Sequence, residues 1–174
     1  MVVLVAMGTS AWADSAFAQT QQRSADFLSL ALPAATLGVE LIRGDREGAW
    51  QYVLTFAAAT SATEVLKRVT RIERPDRSNR LSFPSGHAAR AFSAAAYLHR
   101  RHGLDAAWPA YLAALYVGYL RVATGRHRWV DVAGSAAISV AAAWWLATPA
   151  PVAPLTVTPV IGYRRIGVQV SARW

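Results

Sequence analysis

The sequence of 174 residues contains no cysteine and two methionines, and only 16% of it is charged. Without cysteine there is no disulfide framework, no thiolate zinc site and no cysteine nucleophile, so chemistry falls to histidine, serine, carboxylates or basic side chains. A charged share this far below the usual quarter, beside 54% apolar residues, excludes disorder and a polar coiled coil. It fits one domain that is nearly all core or is surrounded by something apolar. Acidic residues are the scarcer sign, 10 against 18 basic, for a net charge of +8. Such a balance suits nucleic acid, an anionic membrane surface or a phosphorylated substrate. Half of it sits between Lys67 and Arg80, where six basic side chains face two acidic ones. No recognition helix or interleaved aromatics accompany them, so no nucleic-acid partner is expected.

The N-terminal stretch is apolar and offers Ala11-Trp12-Ala13 and Ala16-Phe17-Ala18 as cleavage patterns ahead of polar Gln19 to Arg23. Residues 1–18 are therefore expected to be a signal peptide, with an N-terminal membrane anchor as the alternative. Residues 19–148 form the main domain. Five apolar segments, about 27–42, 49–66, 87–99, 105–121 and 129–148, are separated by turn chemistry at Gly44, Gly48, Pro75, Gly103 and Gly125. They are rich in Ala and Leu and lack a period of two, which predicts helices, with Pro33 and Pro109 implying a kink or a late start. The last is about 20 residues, or about 30 Å of helix, enough to cross a bilayer. The expected fold is all-α: a bundle of about five membrane-spanning or membrane-associated helices. If all five cross and the chain starts outside, the loops bearing Arg43/Arg46 and Arg100/Arg101 fall on the cytoplasmic side, as positive charge prefers. A soluble bundle with Ala-rich contacts is the competing architecture. Residues 149–174 begin with three prolines and turn β-branched, and the alternation of Ile166, Val168 and Val170 predicts a short β-hairpin-like tail.

Three groups stand out against this background. Lys67 and Arg74-Pro75 are two helical turns apart, so both cations are expected on one helix face before Pro75 ends it. Pro84-Ser85-Gly86-His87 opens the third apolar segment, where Ser85 can cap, Gly86 admits an anion to the backbone, and free N–H groups face it. Arg121, His127 and Asp131 surround the start of the fifth segment. There Asp131, four residues after His127, can hold one imidazole nitrogen and leave the other as a nucleophile. Taken singly these are a solvated helix end, a helix cap and a structural pair. Together they fall at segment ends on one side of the bundle.

In this order and spacing the groups resemble the three-part signature of the type 2 phosphatidic acid phosphatase superfamily, which includes bacterial acid phosphatases and vanadium haloperoxidases. The likeness spans about residues 49–148; Leu120 stands where the third motif usually has serine, and the gap between the first two motifs is short, which suggests an open entrance. The resemblance implies that His127 attacks phosphorus, Asp131 orients it and His87 protonates the leaving oxygen. It also implies that Lys67, Arg74, Arg121, Ser85 and Gly86 hold the phosphate oxygens. No metal or cofactor is implied, and vanadate is expected to inhibit. The implied substrate is a lipid phosphate or pyrophosphate, met at the periplasmic face of a bacterial inner membrane. A soluble periplasmic acid phosphatase and a non-catalytic lipid-headgroup binder are the alternatives. A haloperoxidase fits less well, because the chain is too short for the extra helices of those enzymes.

Overall fold

The computed structural model describes the backbone of residues 6–151, 156–162 and 165–171 and the side chains of residues 16–151. Five helices follow in order: α1 (Ala6–Arg43), α2 (Arg46–Thr70), α3 (Gly86–His102), α4 (Leu104–Ala123) and α5 (Trp129–Leu146). Their ends lie where turn chemistry puts them. Gly44, at φ 72°, stops α1, and the Asp45 carboxylate accepts the Gly48 N–H at 2.9 Å to start α2. Ser85 caps α3, and Gly103, at φ 86°, divides it from α4.

Two expectations change. The first helix does not begin near residue 27 but runs unbroken from Ala6 through both cleavage patterns and through Pro33. The polar stretch Gln19–Arg23 holds the good helix formers Gln19, Gln21, Gln22 and Arg23, and Thr20 and Ser24 return their hydroxyls to carbonyls four residues back. Residues 1–5 of the expected signal segment lie outside the described residues. The second change concerns Arg74. Helix α2 ends at Arg71, which adopts a left-handed conformation with its N–H on the Lys67 carbonyl at 3.2 Å. Arg74 therefore sits in the connector and not on the helix face that carries Lys67.

Helix α3 is the centre of the bundle. Ala88, Ala89, Ala91, Phe92, Ser93, Ala94, Ala95, Ala96 and Tyr97 are all buried, so it is enclosed around its circumference. Small side chains let neighbours approach closely: Ala88, Ala91, Phe92 and Ala95 pack with Ala110, Ala114 and Val117 of α4 and Val132 of α5. Buried serines stitch α5 to α3, with Ser135 Oγ donating to the Ser85 carbonyl at 2.8 Å and Ser139 Oγ to the Ala89 carbonyl at 3.0 Å. The outer helices turn large apolar residues away from the protein, among them Phe27, Ile42, Trp50, Trp108, Leu112 and Trp145. Two are long and apolar enough to cross a membrane, α1 over Ala16–Arg43 and α5 over Trp129–Leu146.

Ionic contacts close the end of the bundle that holds the α1–α2 and α3–α4 turns. Arg101 grips Asp45 through Nη2 at 2.6 Å and Nε at 3.0 Å and donates to the Thr148 carbonyl, while His102 Nε2 meets the buried Glu40 at 2.6 Å. Beyond the bundle, strand β1 (Thr156–Gly162) pairs antiparallel with β2 (Arg165–Ser171), Val160 opposite Gly167.

Candidate active site

The opposite end gathers the last turns of α2 and α4, the first turns of α3 and α5, and the connector before α3. Lys67 projects from the last turn of α2, almost buried, with Nζ 3.7 Å from Glu64. It lies close to the start of α3: a methyl group built on Gly86 would stand 3.1 Å from that nitrogen. Glycine is what allows the lysine and the backbone of the first α3 turn to share one wall. Arg74 reaches the same cavity from the connector. The space measures about 260 Å³, and Lys67, Arg74, Gly86, His87 and Arg90 are among the residues that line it.

The His127–Asp131 pair is more deeply set. His127 and Asp131 are almost inaccessible, and His127 Nδ1 lies 3.3 Å from Asp131 Oδ2. The same carboxylate oxygen accepts the Ser82 hydroxyl at 2.6 Å and the Arg128 N–H at 2.8 Å. Three donors on one oxygen fix the carboxylate, and the carboxylate fixes the imidazole with Nε2 as its remaining nitrogen. The turn before α5 contributes too, since the Arg126 and His127 N–H groups both bond the Arg121 carbonyl, at 3.0 and 3.1 Å. Burial, with Arg74 and Arg121 beside it, pushes the His127 imidazole down to about 4 despite the opposing pull of Asp131. The His127 imidazole is therefore held in its neutral form at neutral pH.

The eight residues singled out from the sequence meet at this end. Lys67, Arg74, Gly86 and His87 line the cavity. Ser85 is buried as the α3 cap, its N–H on the Asp131 carbonyl at 3.2 Å, so the second and third motifs are directly bonded. Arg121, from the last turn of α4, is also buried. Nε of Arg74, Arg90 and Arg121 is buried without a hydrogen-bond partner, as is the hydroxyl of Thr63. Unpaired buried donors on three guanidiniums are costly unless an anion receives them.

Three participants were not singled out from the sequence. Ser82 looks like one more polar residue of a connector, and its bond to Asp131 spans 49 residues. Arg90 follows His87 by three residues on α3 and so faces the same cavity, a spacing that could have flagged it. Asp26, just before the first apolar segment, reaches in from α1: its Oδ1 is 2.7 Å from His87 Nε2 and 3.6 Å from Arg121.

Residues 48–151 match the family model of the PAP2 superfamily. The chain belongs to the PAP2 superfamily. All eight motif residues fall within the matched span, as do Ser82 and Arg90, and Asp26 falls outside it. The crystal structure of LpxE from Aquifex aeolicus is similar, with a TM-score of 0.63 over 74% of this chain and 84% of that one, at 24% identity. It shares the PAP2 fold. A stretch of 70 residues is 36% identical to a lipid A 1-phosphatase of Porphyromonas gingivalis, covering 38% of this chain and 16% of that protein. This chain thus spans a small part of that relative's length.

Proposed function

We propose that this PAP2 protein hydrolyses a lipid phosphate or pyrophosphate through a phosphohistidine on His127, at the extracytoplasmic face of a bacterial membrane. The observation that carries the reading is the convergence of Lys67, Arg74 and Arg121 with His87 and with a buried His127–Asp131 pair at one end of the bundle. Cations and N–H groups alone would suffice to bind phosphate; a neutral imidazole clamped by a carboxylate is what a nucleophile needs. Nε2 of His127 attacks phosphorus, the bond from phosphorus to the ester oxygen breaks, and His87 gives that oxygen its proton. Water then attacks the phosphohistidine, loses its proton to His87, and phosphate leaves as the bond from nitrogen to phosphorus breaks. Lys67, Arg74, Arg121 and the Gly86 N–H stabilise the charge on the equatorial oxygens throughout. This positive charge does the neutralising that a metal ion does in other phosphoryl transfers, so the reaction is proposed to need none.

A lipid substrate is supported by the apolar outer faces of α1 and α5, by the two helices long enough to cross a membrane, and by the stretch similar to a lipid A 1-phosphatase. The orientation is supported by Arg43, Arg46, Arg100 and Arg101 at the opposite end, where the cytoplasm would hold them. The test is phosphate release by detergent-purified protein and by His127→Ala, in EDTA, from long-chain lipid phosphates, lipid pyrophosphates and soluble phosphomonoesters. Vanadate-sensitive release by the wild-type protein alone, and from lipids, is the expected result. Release from soluble esters at equal efficiency would favour a periplasmic acid phosphatase, and lipid binding with no release would make the chain a headgroup binder.

A further inference from the structure

We infer that Asp26 of α1 is a positioning residue for the proton donor, its carboxylate holding Nε2–H of His87 so that Nδ1 serves the leaving oxygen. The inference rests on the phosphohistidine mechanism above and adds to it a residue from outside the span that defines the family. Asp26 Oδ1 lies 2.7 Å from His87 Nε2, a charge-assisted distance, and the same oxygen is 3.6 Å from Arg121. His87 lines the phosphate cavity, and Nε2 is the ring nitrogen that meets Asp26. With Nε2 against Asp26, Nδ1 is the nitrogen left for the substrate.

The charges around His87 make this contact consequential. Arg90 lies one turn along α3, Arg121 comes from α4, and Lys67 and Glu64 of α2 share the cavity wall. Burial first, then Arg121 and Arg90, drive the imidazole toward its neutral form, and Asp26 is the group that opposes them. A general acid must hold its proton until the ester bond breaks. With Nε2–H bonded to Asp26, the proton that moves is the one on Nδ1: it passes to the ester oxygen as that oxygen leaves phosphorus. The ring is then neutral, still donating Nε2–H to Asp26, with Nδ1 bare to accept the proton of the attacking water. Asp26 keeps its contact with Nε2–H throughout and fixes one tautomer for both steps.

The alternative is that Asp26 only ties α1 to the bundle. The two roles separate by leaving group, because p-nitrophenolate departs with little help from an acid and an alkoxide does not. We would compare full-length wild type, Asp26→Asn, Asp26→Glu and His87→Ala on p-nitrophenyl phosphate and on a lipid monophosphate, measuring kcat/KM from pH 4 to 9. That quantity covers the steps up to phosphoryl transfer and leaves out the shared water attack. Asp26→Asn should lower both rates and lower the lipid rate roughly tenfold further, within the range of general acid catalysis. The alkaline limb should move to lower pH, since loss of the carboxylate weakens the hold on the proton, and Asp26→Glu should restore part of both effects. Equal losses on the two substrates with an unmoved alkaline limb would reduce Asp26 to a tether and overturn the inference. A His87→Ala protein as active on the lipid as the wild type would instead overturn the general-acid mechanism, and the inference with it.

Discussion

Replacing Ser82 with alanine tests whether Asp131 is held for the sake of His127. The Ser82 hydroxyl is fully buried and donates to Asp131 Oδ2 at 2.6 Å, the shortest of the three contacts to that oxygen. The other carboxylate oxygen, Oδ1, is buried with no hydrogen-bond partner, so the carboxylate has no spare donor to turn to. A hydrogen bond to a buried charged group contributes about 1.5–3 kcal/mol, so Ser82→Ala should cost about 2 kcal/mol of stability. For a chain of this size that is a fall in Tm of about 4–8 °C. If the carboxylate swings, the imidazole swings with it, and each 1.4 kcal/mol lost from the transition state is about a tenfold loss of rate. The assay pairs thermal unfolding in detergent with rapid-quench measurement of the first phosphoryl transfer. We expect a lower Tm together with a rate roughly tenfold down at unchanged substrate affinity. An unchanged Tm and an unchanged transfer rate would refute the view that Asp131 is fixed by its three donors.

His127, depressed to about 4 chiefly by burial, should keep the acid limb of kcat/KM well below pH 6; a limb near 6.5 would mean the imidazole is not desolvated. Because the folded value lies below the ordinary one, this group favours the folded state fully above pH 6.5 and loses that contribution as pH falls through 4. The loss is readable as an acid destabilisation that His127→Phe lacks. Gly86→Ala places a methyl 3.1 Å from Lys67 Nζ, so it should weaken vanadate inhibition about tenfold while Tm holds or rises. Equal inhibition would show that the lysine and the α3 backbone do not share the anion. Arg101→Leu, at the far end, breaks the 2.6 Å pair with Asp45 and should cost about 2 kcal/mol, less than a fully buried pair because Asp45 is partly exposed. It should leave the pH profile of activity unmoved, and a shifted profile would mean the two ends are coupled.

Much of the bundle is legible in the sequence because its breaks are chemical. Gly44, Ser85, Gly103 and Gly125 mark turns or caps in both descriptions, and four of the five helices begin and end within a few residues of the apolar segments. The long start of α1 was not legible, since Gln19 to Arg23 is polar enough to suggest a loop while every residue in it tolerates a helix. Arg74 was misplaced for a related reason: the spacing from Lys67 suits a helix, but the left-handed Arg71 ends it early, and the connector folds Arg74 back by bonding its N–H to the Asn79 carbonyl at 3.0 Å. The motif residues were legible because two histidines, a carboxylate and their neighbouring cations stand out by type and order from an apolar background. Ser82 and Asp26 were not, because each acts on a partner far along the chain. Only the packing of the connector on α5, and of α1 on α3 and α4, brings them together.

The central claim is that phosphate passes through His127, and the direct measurement is to trap it there. Protein mixed with a 32P-labelled lipid phosphate in EDTA and quenched in alkali should carry label that survives base, is released by acid and maps to the peptide holding His127. The label should be absent from His127→Ala. Turnover with no trappable label, or label that persists in His127→Ala, would contradict the account.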